Sequence, residues 1–225
     1  MGSRAVALLS GGMDSAVSAA WAAREQGFEL VTLAVDYGQR HRAELAASKA
    51  ISGWLEAAEL VVLGIDLRPV GGSALTTDAE IPKPDTPAEG IPATYVPARN
   101  TILLALALGL AEARGAGAIV IGVNRIDYSG YPDCRPEFLE AFQRVADLGT
   151  RAGVTGGAPR VLAPLVDLSK AAIVELGLRL GVPFEKTISC YDAGPDGGAC
   201  GACDACRLRR EGFLAAGVRD PTRYA

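Results

Sequence analysis

Short apolar runs alternate along the chain with longer segments in which apolar residues recur at helical spacing. The runs fall at 4–9 (RAVALL), 29–35 (ELVTLAV), 60–63 (LVVL), 118–123 (AIVIGV) and 161–165 (VLAPL). Each is short, apolar on both faces and bounded by turn residues, which predicts strands buried on two sides. Between them, 14–26, about 42–58, about 98–114, 136 to about 151 and 170–180 carry the spacing of helices. Gly27 closes the first helix, Ser169 can cap the last, and Gly181 and Pro183 end it. Strand and helix in alternation predict a doubly wound α/β fold, a parallel sheet covered on both faces.

The pattern dissolves at 65–96, where prolines, the Gly71-Gly72 pair and small polar residues leave little periodicity. So long a connection inside a compact domain predicts a functional lid or a mobile loop. A cysteine-rich end follows, which divides the chain into a main α/β domain at 1–186 and a small metal-binding module at 187–225. A chain of 225 residues can bury a core of that size.

A net charge of −4 argues against a protein whose main task is to grip nucleic acid. The longest apolar run, ILLALALGLA at 102–111, has half the ~20 residues that a membrane span requires. The first residues lack the cationic, apolar and cleavage-site order of a secretory signal, so a cytoplasmic protein without a membrane partner is expected.

Candidate chemistry begins where the first strand hands over to a helix. The segment LLSGGMDSAVS, Leu8 to Ser18, places Ser10, Gly11 and Gly12 in a turn and Asp14 and Ser15 at the start of a helix. Such a junction exposes backbone N–H groups and the positive end of the helix dipole, a ready site for phosphate. Asp14 can cap the helix or hold magnesium. An ordinary tight turn with a capped helix fits the same residues. The lysine of GxxxxGK[ST] is absent, as is GxGxxG, which excludes the two commonest nucleotide loops.

Four of the five cysteines, Cys190, Cys200, Cys203 and Cys206, read C-x9-C-x2-C-x2-C. Four thiolates so close can enclose one ion tetrahedrally, and a closed all-sulfur shell suits structural zinc. An iron–sulfur cluster is the rival, since C-x2-C-x2-C opens the bacterial ferredoxin run. That run continues with x3-C-P, whereas Cys206 precedes RLRREG, and zinc is preferred. Cys134 stands apart, a pocket residue rather than a nucleophile, with the single histidine, His41, distant in sequence.

The hexapeptide SGGMDS at 10–15 is similar to the PP-loop of the ATP pyrophosphatases, enzymes that cleave ATP between its α and β phosphates. Further segments resemble the 7-cyano-7-deazaguanine synthase family within that superfamily. They are DYGQRH at 36–41, VPARN at 96–100, GVNRIDYSGYPDCRPEF at 122–138, PLVDLSKAAIVELG at 164–177, TISCY at 187–191 and CGACDACRLR at 200–209. VPARN carries Ala98 where the family leads one to expect glycine.

The resemblance implies a Rossmann-like, adenine nucleotide alpha-hydrolase-like domain. In it Leu8, Leu9, Ser10, Gly11, Gly12, Met13, Asp14, Ser15, Ala16, Val17 and Ser18 surround ATP, and the strand at 33–35 runs beside the adenine. It implies conversion of 7-carboxy-7-deazaguanine and ammonia to the nitrile through adenylated acid and amide, with release of AMP and pyrophosphate, in a homodimer. Ser10, Asp14, Ser15 and Lys170 are the expected catalytic residues, although Lys170 could equally be a solvated lysine of a first helical turn. The loop after the fourth strand supplies Asn124, Asp127, Tyr128, Tyr131, Asp133 and Arg135. With Arg99 these can accept from a guanine-like edge, stack on a heterocycle or pair a carboxylate. Two other readings stay open, a tRNA-modifying PP-loop ligase or thiolase and a non-catalytic nucleotide-binding zinc protein. The first needs a basic face that the acidic balance does not support.

Overall fold

The computed structural model describes residues 3–39, 43–83, 90–125, 131–194 and 197–225. Five strands, β1 (Arg4–Leu8), β2 (Glu29–Asp36), β3 (Glu59–Gly64), β4 (Ala118–Val120) and β5 (Arg160–Leu162), form one sheet. Its order is β3-β2-β1-β4-β5 and every pairing is parallel. The helices are α1 (Met13–Arg24), α2 (Ala43–Trp54), α3 (Arg99–Arg114), α4 (Pro136–Gly149), the short α5 (Arg151–Val154), α6 (Lys170–Arg179) and α7 (Asp204–Ala215).

Side chains alternate across a strand, so β1 feeds two cores. Val6 and Leu8 pack with Leu104 and Ala107 of α3 and Phe142 of α4 on one face. Ala5, Ala7 and Leu9 pack with Ala16 and Val17 of α1, Ile173 of α6 and Phe213 of α7 on the other. The predicted doubly wound architecture is therefore the observed one. Strand order reverses between β1 and β4, and open α/β sheets bind ligands in the crevice at the carboxyl ends of such strands.

The structure adds detail to three of these readings. The described residues of 65–96 form no helix or strand, yet Leu67, Ala74, Leu75, Ile81 and Val96 are buried in the first core. These spaced apolar residues anchor the described part of the segment in the same core as α3. The fourth strand ends at Val120, because the chain then passes over α1. A Cβ at Gly122 would lie 2.9 Å from the Asp14 carbonyl, a fit only for glycine. The cysteine-rich end contains α7, whose Ala205, Arg209 and Phe213 repeat at helical spacing. Among the described residues no helix is long and apolar enough to cross a membrane.

Ala98 precedes α3 with φ 53°, a left-handed conformation that costs an L residue about 1–2 kcal/mol. Ala98→Gly relieves it, against the ~0.5–1 kcal/mol that glycine's freer unfolded chain takes back. A net gain of about 0.5–1 kcal/mol is expected, read as a higher denaturation midpoint at unchanged slope. A lower midpoint would show that the backbone is unstrained there.

Candidate active site

The turn after β1 is built around Gly11 (φ 87°), where a Cβ would overlap the Glu44 carbonyl and stand 2.8 Å from Ala47 Cβ. Glycine alone lets α2 close on the turn. Gly12 N donates to Ser10 Oγ (3.2 Å), Ser15 Oγ donates to Gly12 O (2.9 Å), and the two serine hydroxyls lie 3.1 Å apart. The N-cap of α1 is Gly12, which has no side chain with which to cap the helix. The cap role for Asp14 is thereby corrected, since Asp14 lies inside the first turn and points elsewhere. Its Oδ2 accepts from Lys170 Nζ at 2.9 Å, and its buried Oδ1 has no hydrogen-bond partner among the described residues.

Lys170 is 7% exposed, so its reading as a solvated lysine is dropped. Ser169 caps α6 by accepting from Ala172 N, as expected from sequence. Asn124, at the end of the β4 segment, donates through Nδ2 to Leu165 O (3.0 Å) and also to Leu168 O. That grip holds the turn that launches α6 and so aims Lys170 at Asp14.

A cavity of about 210 Å³ opens between these elements. Leu8, Leu9, Ser10, Gly12, Met13, Asp14, Ser15, Arg99, Asn124, Tyr131 and Lys170 all line it. Gly11 packs under α2, while Ala16, Val17 and Ser18 fall on the buried side of α1. Asp133 lies behind the wall, where its Oδ2 accepts from Asn100 N (3.0 Å) and its carbonyl from Asn100 Nδ2 (2.9 Å). The first turn of α3, with Arg99, is held in this way. Arg135 is exposed and donates to Pro132 O. Asp127, Tyr128 and His41 lie outside the described residues.

Sequence reasoning quoted but did not assign several wall residues: Tyr37 and Gln39 of DYGQRH, Asn100 of VPARN, Tyr191 of TISCY and Arg209 of CGACDACRLR. It missed Glu44 altogether. Arg99 lies 5.9 Å from the Tyr37 ring centre, and the Tyr131 and Tyr95 rings are 5.8 Å apart. Burial lifts the Glu44 carboxyl to about 7, with the Arg99 guanidinium pulling the other way. Burial, and then the charge of Asp133, pushes the Cys134 thiol to about 12, which keeps it protonated and unreactive.

The ligand atoms of Cys190, Cys200, Cys203 and Cys206 all lie within 4.8 Å of one another. Backbone N–H groups point at them, Asp192 N and Cys200 N at Cys190 Sγ (3.3 and 3.2 Å) and Cys203 N at Cys200 Sγ (3.4 Å). Such donors favour thiolates, the form that binds metal. The cluster is tied to the Ser10–Ser15 turn, because Ile188 N donates to Gly11 O at 3.0 Å. From α7, Arg209 grips the same segment at Thr187 Oγ1 (2.7 Å) and Phe184 O (3.0 Å), and pairs with Asp220 at 3.1 Å.

A parallel sheet whose SGGxDS turn opens a helix beside its switch point defines a PP-loop nucleotide-binding protein. Two solved structures share the fold. NMN synthetase from Francisella tularensis matches 97% of this chain and 78% of its own at 17% identity, with TM-score 0.51. The U34-tRNA thiolase NcsA from Methanococcus maripaludis matches 96% and 68% at 14% identity, with TM-score 0.51. Within that class the chain belongs to the family described as queuosine biosynthesis protein QueC, whose model matches residues 4–217. A relative from Thiobacillus denitrificans named 7-cyano-7-deazaguanine synthase is 61% identical over 221 residues, 98% of each chain. A relative of the same name from Pseudomonas fluorescens is 59% identical, again over 98% of each chain.

Proposed function

We propose that the protein is a 7-cyano-7-deazaguanine synthase, an ATP-dependent ligase that converts 7-carboxy-7-deazaguanine and ammonia to the nitrile. The observation that carries the reading is the Ser10–Ser15 turn at the switch point, with the Asp14–Lys170 pair at its rim. Family membership and the name of its relatives support the same reaction.

A carboxylate is a poor electrophile and is activated by attack on the α phosphorus of ATP, which leaves an acyl adenylate and pyrophosphate. The turn amides and the Ser10 and Ser15 hydroxyls cradle the departing β and γ phosphates, and Lys170 adds a point charge. Magnesium, for which the unpartnered Asp14 Oδ1 is a suitable ligand, would neutralise phosphate charge when bound. We assign the substrate to the wall of Arg99, Asn124 and Tyr131, with Tyr37 and Tyr191 beside them. Arg99 pairs the carboxylate and the phenols face the heterocycle, while Asp133 acts from behind as a positioning residue. Alignment of this kind is worth up to ~7–11 kcal/mol in model systems. Ammonia then displaces AMP to form the amide, and a second ATP activates the amide oxygen, whose departure with AMP leaves the nitrile.

The four cysteines are assigned to structural zinc, so that 187–225 braces the ATP domain at 1–186. The enzyme is read as a cytoplasmic homodimer that takes no nucleic acid.

The experiment is an isotope transfer. Acid labelled with oxygen-18 in its carboxyl group should hand label to AMP in both activation steps, with pyrophosphate as the other product and none of the label in the nitrile. Phosphorus NMR showing ADP and inorganic phosphate would overturn the mechanism. Retention of tRNA on a filter would point instead to an RNA-modifying relative.

A further inference from the structure

We infer that Glu44 is the proton acceptor of the ammonia step, a catalytic residue standing between the phosphate turn and the Arg99 wall of the cavity. The inference rests on the synthase reading above. Glu44 belongs to the first turn of α2, lines the same cavity as Ser10, Asp14, Arg99 and Lys170, and packs its backbone directly on Gly11. Of the neighbouring carboxylates, Asp14 is paired with Lys170 and Asp133 is bound to the amide of Asn100.

The chemistry requires such a group. At neutral pH the nitrogen source is almost entirely ammonium, which has no lone pair to attack with. Glu44 carboxylate takes one proton from ammonium, and the ammonia lone pair forms the C–N bond to the acyl carbon. The C–O bond to AMP breaks, and AMP leaves with that electron pair. The second nitrogen proton passes to the released phosphate or to water, and Glu44 returns its own to solvent before the next cycle.

Among the described residues, the charged and titratable groups about Glu44 are Arg99 of α3 and Tyr37 at the end of β2. Asp14 and Lys170 stand across the cavity. A carboxyl raised by burial to about 7 gives up and takes protons near neutrality, as a general base must. It works only when ionised, so the rate of the ammonia step should fall as pH drops below that value.

The test separates two half-reactions of the full chain. Acid-dependent exchange of pyrophosphate into ATP, without ammonium, reads adenylation; amide formation with ammonium reads the proposed step. In Glu44→Gln, exchange should continue while amide formation slows by about 10²-fold and loses the break that the carboxyl adds near neutrality, so that its rate follows free ammonia alone. Hydroxylamine is largely unprotonated at neutral pH, so it should restore acyl transfer in this variant, trapped as hydroxamate. Glu44→Asp should keep part of the ammonia rate. Loss of exchange in Glu44→Gln would make Glu44 a binding residue and overturn the inference. An unchanged ammonia step, or no rescue by hydroxylamine, would also overturn it. Wild-type enzyme that shows no exchange would defeat the synthase reading, and this inference with it.

Discussion

Asp14→Asn is expected to lower turnover by at least about 10²-fold, the scale on which preorganised groups at developing charge act. The substitution keeps the shape of the side chain and removes its charge, next to a lysine that is almost completely buried. Breaking a buried ion pair by removing one partner costs about 3–5 kcal/mol, because the other charge is left uncompensated. The single variant should therefore also melt earlier. The double variant Asp14→Asn with Lys170→Met separates the two effects, since replacing both partners removes the stranded charge. It should regain most of the lost stability and none of the lost turnover. If it turned over like the wild type, the pair would be a brace for α1 and α6 with no part in phosphate chemistry.

Cys203→Ala should release the metal and unfold much of the C-terminal stretch. Structural zinc contributes ~10–16 kcal/mol in zinc-finger peptides, comparable with the whole stability of a domain at ~5–15 kcal/mol. Four sulfur atoms this close, with N–H groups aimed at them, would otherwise be gathered against their own repulsion. Purified wild-type protein should carry one zinc per chain and the variant none. Amide exchange should rise through 187–225 and spread to the phosphate turn, because Ile188 donates to Gly11 and Arg209 holds the segment between them. ATP affinity should fall with it. Iron and a brown colour in the wild type would replace zinc by an iron–sulfur cluster, and protection unchanged in the variant would make the cysteines independent of the fold.

The fold was legible because its signals are local. Apolar runs on both faces of each strand, and helices that stop at Gly27 or Gly181, follow from side-chain spacing and backbone freedom, which neighbours in sequence determine. The turn after β1 was legible for the same reason, since Ser10, Gly11, Gly12, Met13, Asp14 and Ser15 are contiguous. So was the cysteine cluster, whose spacing alone brings three ligands together. α7 was not legible because its sequence is strongly polar, and an arginine, Arg209, stands between Ala205 and Phe213 on the face it buries. At 65–96 the burial of Leu67, Ala74, Leu75, Ile81 and Val96 was not legible, because such isolated apolar residues need an already formed core to receive them.

The sequence by itself determined the parallel α/β architecture, the glycine turn at Ser10–Ser15 and the four-sulfur cluster. Tertiary structure alone decided which groups face one another. Asp14 meets Lys170 across 156 positions, Asp133 turns from the cavity to Asn100, and Glu44 reaches the turn through the close approach that Gly11 permits. Contacts of that range depend on the order in which strands enter the sheet and on the crossing of helices above it. No local periodicity encodes them, and the chemistry of the cavity depends on them.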